Sequence, residues 1–169
     1  MVEQRVRVSS ITPFLWFARR AEEAATFYTS IFDNGKITNV SRYGDAGPGP
    51  AGSAMVVEFE LGGQEFMALN GGEGETPPSG PFEGSIALFA SCPTQDAVDG
   101  LWEKLGEGAV FLQCGWLRDK FGVVWNVVPE GLSELLGGPD PEKSQRAMQA
   151  MLSMTKLDIN EMRRAYEGT

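Results

Sequence analysis

The side chains that can do chemistry in this sequence are limited first by a missing residue type, because the chain contains no histidine. An imidazole general base, a Ser-His-Asp or Cys-His nucleophile and an HExxH zinc site are therefore excluded. A metal ion would have to be bound by carboxylates, amides or the two cysteines. The remaining catalytic candidates are the carboxylate of Glu58 and the thiol of Cys114.

Glu58 lies in the middle of a predicted strand, and its role depends on the face that it occupies. A carboxylate inside an apolar pocket has a raised pKa and can act as a base. If Gly62-Gly63 form a two-residue turn, Glu58 stands opposite Met67, outside the predicted pocket. If the turn has three residues, Glu58 stands opposite Ala68, inside it. The alternative to a catalytic role is an ordinary solvated carboxylate.

The cysteines and arginines each have a chemical and a structural interpretation. A nucleophilic Cys114 needs a neighbouring cation to lower its pKa, and Arg118 follows four residues later. The alternative is a buried, inert thiol, which is also our interpretation of Cys92. Arg42 and Arg118 can clamp an anionic substrate through paired hydrogen bonds, or they can pair with surface carboxylates.

Charge and composition restrict the partners. The 169 residues include 14 Lys or Arg against 23 Asp or Glu, a net charge of −9, which argues against binding to nucleic acid or an anionic membrane. No apolar run approaches the roughly 20 residues of a membrane span, and residues 1–10 lack a signal-peptide core. Two cysteines do not make a disulfide framework. We therefore expect a cytoplasmic protein with no nucleic-acid or membrane partner.

The elements that must position these residues occur twice along the chain. Each half, approximately 8–72 and 84–129, has the order strand, helix, strand, hairpin. Apolar residues recur at helical spacing in 20–32 and 94–105, whereas short alternating or β-branched runs predict strands. The predicted strands are 11–17, 37–43, 54–61, 64–70, 85–91, 109–113, 115–119 and 123–128.

The last part of the sequence, 138–169, predicts a helical extension to the paired modules of 1–137. Asp140-Pro141 combine an acidic cap with a proline at the first helical position. Asp158 and Glu161 have the spacing of a capping box. The fold class is therefore α+β, two βαβββ modules followed by a C-terminal helical tail.

Alternation along the strands predicts a face that binds a small molecule. One side of each strand is uniformly apolar and should meet the helices, whereas the other mixes aromatic and neutral polar groups, as small-molecule pockets do. The alternative is that the polar groups are satisfied by backbone or water. The predicted ligand-binding residues are Thr12, Phe14, Trp16, Phe66, Asn70, Ser85, Phe89, Asn126 and Arg118.

Several segments resemble the vicinal oxygen chelate superfamily of glyoxalases, bleomycin-resistance proteins and extradiol dioxygenases. Within it they are similar to the PhnB-like branch, whose members carry the description demethylubiquinone methyltransferase domain. The matching stretches are ITPFLWF with AEEAATFYTSIF, VEFELGGQEFMALNGG, CGWLRDKFGVVWNVVP and the tail PDPEKSQRAMQAMLSM. The resemblance implies a glyoxalase-like fold, with a cupped mixed sheet that is usually completed in a homodimer.

The resemblance also indicates where a metal would bind. Metal-dependent members place His, Glu or Gln on the first and last strands of each module. The corresponding positions here are Thr12, Asn70, Ser85 and Asn126, whose hydroxyls and amides have little affinity for divalent transition metals. No Gly-rich nucleotide loop follows a strand either, so we expect neither a metal nor a cofactor.

Two functions follow from these expectations. In the first, the protein is a binding module that sequesters a small ligand, as the superfamily's resistance proteins do. In the second, it is a metal-independent lyase or transferase-like enzyme that acts on a small carbonyl or aromatic substrate. A carboxylate or thiol inside the pocket favours the enzyme, whereas a pocket of aromatics and neutral polar groups favours the binding module.

Overall fold

The computed structural model describes residues 10, 12–44, 49–72 and 87–169, which divide into two compact units, Met1–Pro78 and Ser79–Thr169. Each unit contains one four-stranded sheet. The elements of the first unit are β1 (Phe14–Phe17), α1 (Ala21–Ile31), β2 (Lys36–Arg42), β3 (Ala54–Leu61) and β4 (Gln64–Asn70).

The second unit repeats this order and adds a tail. Its sheet and crossover helix are β5 (Leu88–Cys92), α2 (Gln95–Gly106), β6 (Val110–Phe111), β7 (Trp116–Arg118) and β8 (Val124–Pro129). The tail helices are α3 (Leu132–Leu136), α4 (Pro141–Ser153) and α5 (Ile159–Glu167). The strand orders β1-β4-β3-β2 and β5-β8-β7-β6 are equivalent. In each sheet the first strand along the chain pairs in parallel with the last one along the chain, β1 with β4 and β5 with β8. The predicted α+β class with two βαβββ modules is confirmed.

The hairpin between β3 and β4 has the two-residue turn. Leu61 pairs with Gln64, and both intervening residues have positive φ, 55° at Gly62 and 81° at Gly63. Two successive positive φ values define the turn type that matches the twist of a hairpin, and glycine adopts them without steric cost. The turn sets the register of every pair along β3 and β4.

Aromatic stacking shows which face of the first sheet α1 covers. The fully buried ring of Tyr28 in α1 stacks on Phe59 with centroids 6.3 Å apart, and Phe59 stacks on Phe66 at 5.5 Å. Phe59 and Phe66 are cross-strand partners in β3 and β4. The side of the sheet that carries these two rings is therefore the side that packs against α1.

A buried carboxylate organises the corresponding hairpin of the second sheet. Asp119 Oδ1 accepts hydrogen bonds from the backbone N–H groups of Phe121 at 2.9 Å and Val123 at 3.0 Å. Its Oδ2 accepts from Trp125 Nε1 at 2.9 Å. Leu117, Trp125 and Val127 form the buried face of this sheet, and α2 contacts β5 and β8. Asp119 thus links the turn to the core.

The helical tail packs onto the second sheet. Met154, Leu157 and Met162 cluster with Val128 of β8. The backbone N–H of Cys114 donates to Met154 O at 2.8 Å, which ties the loop before β7 to the end of α4. The predicted caps form, since Asp140 and Asp158 accept from backbone N–H groups in the first turns of α4 and α5. Within the described ranges, no helix is long and apolar enough to cross a membrane.

Candidate functional site

The parallel register of β1 with β4 decides which residues of the first sheet face away from α1. Phe14 pairs with Met67, and Trp16 pairs with Leu69. Residues that are paired across strands project to the same side of a sheet. Because Phe66 projects toward α1, its neighbour Met67 projects the other way, and Phe14 and Trp16 do the same.

Two rows of side chains cross this face, which we call the open face. Adjacent strands are about 4.8 Å apart, so the first and third residues of a row stand roughly 10 Å apart, which suits a small planar molecule. The first row is Phe14, Met67, Glu58 and Asn39, and the second is Trp16, Leu69, Val56 and Ser41.

Glu58 belongs to the open face as a result of the two-residue turn. It stands opposite Met67, one of the two positions that the sequence allowed. That position is away from Asn70, yet it lies on the same face as Phe14 and Trp16. The Asn39 side-chain amide donates to Glu58 Oε1 at 3.4 Å.

Two of the ligand-binding residues predicted on the first sheet, Phe66 and Asn70, do not lie on the open face. Phe66 is 7% exposed and stacks on Phe59 beneath α1. Asn70 Oδ1 accepts from Ala21 N at 2.8 Å, and its Nδ2 donates to Ala54 O at 2.9 Å. The prediction that both share a face with Trp16 is wrong. The sequence interpretation assigned the alternation within each strand correctly. It then grouped the faces of different strands by their composition, whereas the hydrogen-bond register decides which faces lie on the same side of the sheet.

Asn70 is instead a structural residue that the sequence interpretation missed. Its carboxamide accepts from the first backbone N–H of α1, a donor with no partner inside the helix. The same amide donates to the start of β3, and the Tyr43 hydroxyl donates to the Asn70 carbonyl oxygen. The signal available in the sequence was a buried-strand asparagine that precedes a Gly-Gly pair.

The other predicted residues are distributed as follows. Thr12 lies just before β1 and is half-buried, whereas Ser85 lies outside the described residues. In the second sheet Asn126 pairs with both Phe89 and Trp116, so the three share the face opposite the buried Trp125. Arg118, paired with Val124, projects to that same face.

Hydrogen bonds of Cys114 and Asn126 hold the loop before β7 against the tail. Asn126 Nδ2 donates to the carbonyl oxygen of Cys114 at 3.1 Å, and the Cys114 thiol points at Met151 O at 3.6 Å. Cys114 has a φ of 60°, which is unusual for a residue other than glycine. Burial, followed by the charge of Glu130, raises the pKa of the Cys92 thiol, which suppresses its thiolate form.

Arg42 and Arg118, the two arginines proposed to bind an anion, differ in their ion pairing. Arg42 pairs with Glu22 of α1 at 3.0 Å on the surface. In the parts of the chain that the structure describes, no carboxylate forms an ion pair with Arg118. The face of the second sheet that carries Asn126 therefore also carries an arginine that has no ion-pair partner among the described residues.

The three described positions that correspond to metal ligands of the superfamily, Thr12, Asn70 and Asn126, do not fit a divalent ion. Both polar atoms of the Asn70 amide are engaged on the side of α1, and Asn126, whose nitrogen donates to a carbonyl oxygen, offers only an amide oxygen, a weak ligand for transition metals. Thr12 offers only a hydroxyl, a weak ligand for transition metals. Among the residues described, no three His, Cys, Asp or Glu side chains cluster to hold an ion. No metal-dependent step follows from this donor set.

A methyl donor derived from a nucleotide is generally held by a Gly-rich turn between a strand and a helix. Here β1 leads to α1 through Ala18, Arg19 and Arg20, and β5 leads to α2 through Pro93 and Thr94. Neither connection contains glycine. These residues do not fit such a donor, and no methyl-transfer step follows from them.

The second unit contains a separate cleft that the sequence did not indicate. It has a volume of about 310 Å³ and lies where the first turns of α2 and α5 meet. Gln95 spans its floor, because its amide donates to Leu157 O at 3.0 Å and accepts from Ile159 N at 2.9 Å. Arg163 lines the cleft together with the carboxylates of Asp96 and Glu130. The cleft therefore mixes both charges.

Comparison with known proteins assigns the chain to a family. Residues 9–128 match the family model described as 3-demethylubiquinone-9 3-methyltransferase. The chain belongs to this PhnB-like family. None of the curated proteins matches it.

The first of the following solved structures supports this assignment. A putative 3-demethylubiquinone-9 3-methyltransferase, PhnB protein, from Bacillus cereus is 35% identical, with a TM-score of 0.63 over 72% of this chain and 99% of that one. Protein PA1353 from Pseudomonas aeruginosa is 23% identical, with a TM-score of 0.54 over 73% of this chain and 100% of that one. A glyoxylase/bleomycin resistance protein/dioxygenase domain from Frankia sp. EAN1pec is 18% identical, with a TM-score of 0.44 over 74% and 96%.

Proposed function

We propose that this protein binds a small, planar organic molecule on the open face of the first sheet, without a metal ion, and thereby sequesters it. The observation that carries the proposal is the shared face of Phe14, Trp16 and Glu58, which the registers of β1, β4 and β3 establish. Phe14 is 52% exposed although it lies on a strand, so its ring remains available for stacking.

The composition of the open face supports binding of an aromatic or conjugated molecule. Two aromatic rings lie at one edge, aliphatic and thioether side chains from β4 and β3 form the middle, and polar groups lie at the other edge. Small-molecule sites have this combination of apolar walls with a few orienting polar groups. A well-placed ring contributes about 1 kcal/mol beyond its buried area.

One observation favours a second candidate function, a metal-independent enzyme. Glu58 is a carboxylate on the same face as the aromatic rings, and a carboxylate close to a bound substrate can transfer a proton. In this alternative Glu58 is the general base or acid, and Asn39 orients its Oε1 oxygen. The substrate is then a small carbonyl or aromatic compound with an acidic proton. The thiol of Cys114 has no part in this scheme, because it points at the Met151 carbonyl oxygen.

The binding function is tested by screening small aromatic molecules against wild type, Trp16→Ala and Trp102→Ala. Trp102 is also half-buried, but it stacks on Phe111 in the second unit and therefore controls for the loss of an indole. We expect Trp16→Ala to weaken a hit about tenfold and Trp102→Ala to leave its affinity unchanged. Circular dichroism of both variants verifies folding, and equal affinity in wild type and Trp16→Ala would remove Trp16 from the site.

We also propose that the protein is a homodimer. Exposed apolar side chains support this, because soluble monomers seldom expose large apolar patches. They include Phe89 at 67% and Leu152 at 54% exposed. Sedimentation velocity at micromolar concentration tests the proposal, and a stable monomer would contradict it.

A further inference from the structure

We infer that the ligand of the open face is a planar organic cation, with its ring against Phe14 and Trp16 and its positive charge at the carboxylate of Glu58. The inference rests on the proposed binding function and adds the chemical class of the ligand. Charge complementarity carries it, because Glu58 is an acidic group that the described part of the chain does not neutralise.

Two glutamates on the exposed side of β3 differ in how their charge is balanced. Glu60 forms an ion pair with Lys36 of β2 at 3.0 Å. Glu58, two residues earlier and on the same face, accepts from the neutral amide of Asn39 at 3.4 Å. Within residues 12–44, 49–72 and 87–169, no lysine or arginine forms an ion pair with Glu58.

A ligand that covers Glu58 would take water away from its carboxylate. Glu58 is partly buried, with Met67 across the strand and Val56 on the same face. An ionised carboxylate that loses water without gaining a cation is destabilised. A ligand with a positive charge at this point would offset that cost, whereas a neutral or anionic ligand would not.

The aromatic part of the face also selects for a cation. The faces of tryptophan and phenylalanine rings attract positive charge through their quadrupoles. Phe14 lies two strands from Glu58, about 10 Å, so one ring-bearing cation can reach both. Trp16 lies against Gly71, where an added Cβ would come within 2.1 Å of the indole carbon Cζ2. Gly71 therefore lets the indole lie directly on the backbone.

Three probes of one size separate charge from ring stacking: 1-naphthylmethylammonium, the neutral 1-naphthylmethanol and the anion 1-naphthoate. Each is titrated by calorimetry against wild type, Glu58→Gln and Glu60→Gln. Glu60→Gln is the matched control, because it removes the same charge from the same strand and face. We expect wild type to prefer the cation over the alcohol by about three- to tenfold. Glu58→Gln should abolish this preference, whereas Glu60→Gln should retain it. Added salt should reduce it, because exposed charges are screened.

Each other outcome overturns a defined part of the inference. If the alcohol binds wild type as tightly as the ammonium, or if the naphthoate binds more tightly, the cation assignment is wrong and the binding function stands. If no probe binds wild type, the proposed binding function fails, and the inference fails with it. If Glu58→Gln changes the sedimentation coefficient instead of probe binding, the face is a contact between copies of the chain, and the inference is overturned.

Discussion

The two modules have the same strand order but place opposite charges on corresponding surfaces. The open face of the first sheet carries the carboxylate of Glu58 beside Phe14 and Trp16. The matching face of the second sheet carries the guanidinium of Arg118 beside Phe89 and Trp116. One βαβββ scaffold can therefore present either sign of charge on a similar aromatic background, so function must be argued from each face separately.

The modules also differ in how their hairpins are held. The β3–β4 turn depends on backbone conformation at Gly62 and Gly63. The β7–β8 turn depends on the buried carboxylate of Asp119, and the loop before β7 depends on hydrogen bonds to the tail. The β3–β4 turn is thus formed by glycine backbone, whereas the β7–β8 turn needs a side chain and the loop before β7 needs the tail. The predictions below test this difference.

Removal of the tail after Pro139 should have the largest effect. It deletes Met154, Leu157 and Met162, uncovers Val128 and leaves Cys114 N–H without its acceptor. At about 1.5 to 3 kcal/mol for each buried side chain, we expect a loss of about 5 kcal/mol in the free energy of unfolding, or insoluble protein. The measurement is urea denaturation, with Gln149→Ala on the exposed side of α4 as the control. A truncated chain as stable as wild type would contradict the dependence of the second module on its tail.

Asp119→Ala should have the next largest effect. The substitution leaves two backbone N–H groups and the indole N–H of Trp125 without their acceptor, so we expect a loss of about 3 kcal/mol. Thermal unfolding measures it. Glu107→Gln is the control, because Glu107 is an exposed acid that pairs with Lys120 of the same hairpin at 3.4 Å. Equal melting temperatures for both variants would show that Asp119 does not hold the turn.

The two asparagines provide a direct comparison between modules. Asn70→Ala removes two buried hydrogen bonds, whereas Asn126→Ala removes one. At roughly 1 kcal/mol per bond, we expect losses of about 2 and 1 kcal/mol in chemical denaturation. Neither variant should change metal content, which elemental analysis of untagged protein measures. One tightly held transition metal per chain, lost in Asn126→Ala, would show that these positions bind an ion after all.

The smallest expected effect concerns the ion pair of Asp99 in α2 with Lys156, which precedes α5, at 2.6 Å. Hydrogen bonds from Lys156 and then Gln95 lower the pKa of Asp99. The contribution to stability is therefore present above the usual aspartate pKa and is lost as the pH falls through the lowered value. Because both side chains are more than one-third exposed, Asp99→Asn should cost about 0.5 kcal/mol or less at pH 7, and less still at pH 2. Unfolding curves at both pH values measure this, and an equal cost at pH 2 would exclude an electrostatic origin.

Local sequence signals predicted the elements well because they act within a few residues. Strands 54–61 and 64–70 have the expected bounds, since alternation and a Gly-Gly turn mark them directly. Thr94 caps α2 in the same local way, because a hydroxyl three residues before a backbone N–H reaches it within one turn. The helices of the tail were predicted equally well from their capping residues, Asp140 and Asp158.

The candidate site was predicted only in part, and the errors have one cause. Alternation showed correctly that Phe14 goes with Trp16 and that Phe66 goes with Asn70. It does not show which face of β4 lies on the same side of the sheet as Phe14 and Trp16 of β1. A shift of one residue in the pairing of two strands moves every side chain of one strand to the opposite side. For the same reason, the sequence did not decide which face of the sheet Glu58 occupies.

The sequence by itself determined the absence of imidazole chemistry, the order of the elements and the family. Residue types and short-range patterns suffice for these. Only the tertiary structure decided that Glu58, Phe14 and Trp16 share a face. It also decided that the Asn70 amide accepts from the first N–H of α1 and that Cys114 is hydrogen-bonded to the tail. These facts depend on pairing between strands and on contacts between residues that are distant along the chain. Such pairing is set by the packing of the whole module and is not encoded within any one segment.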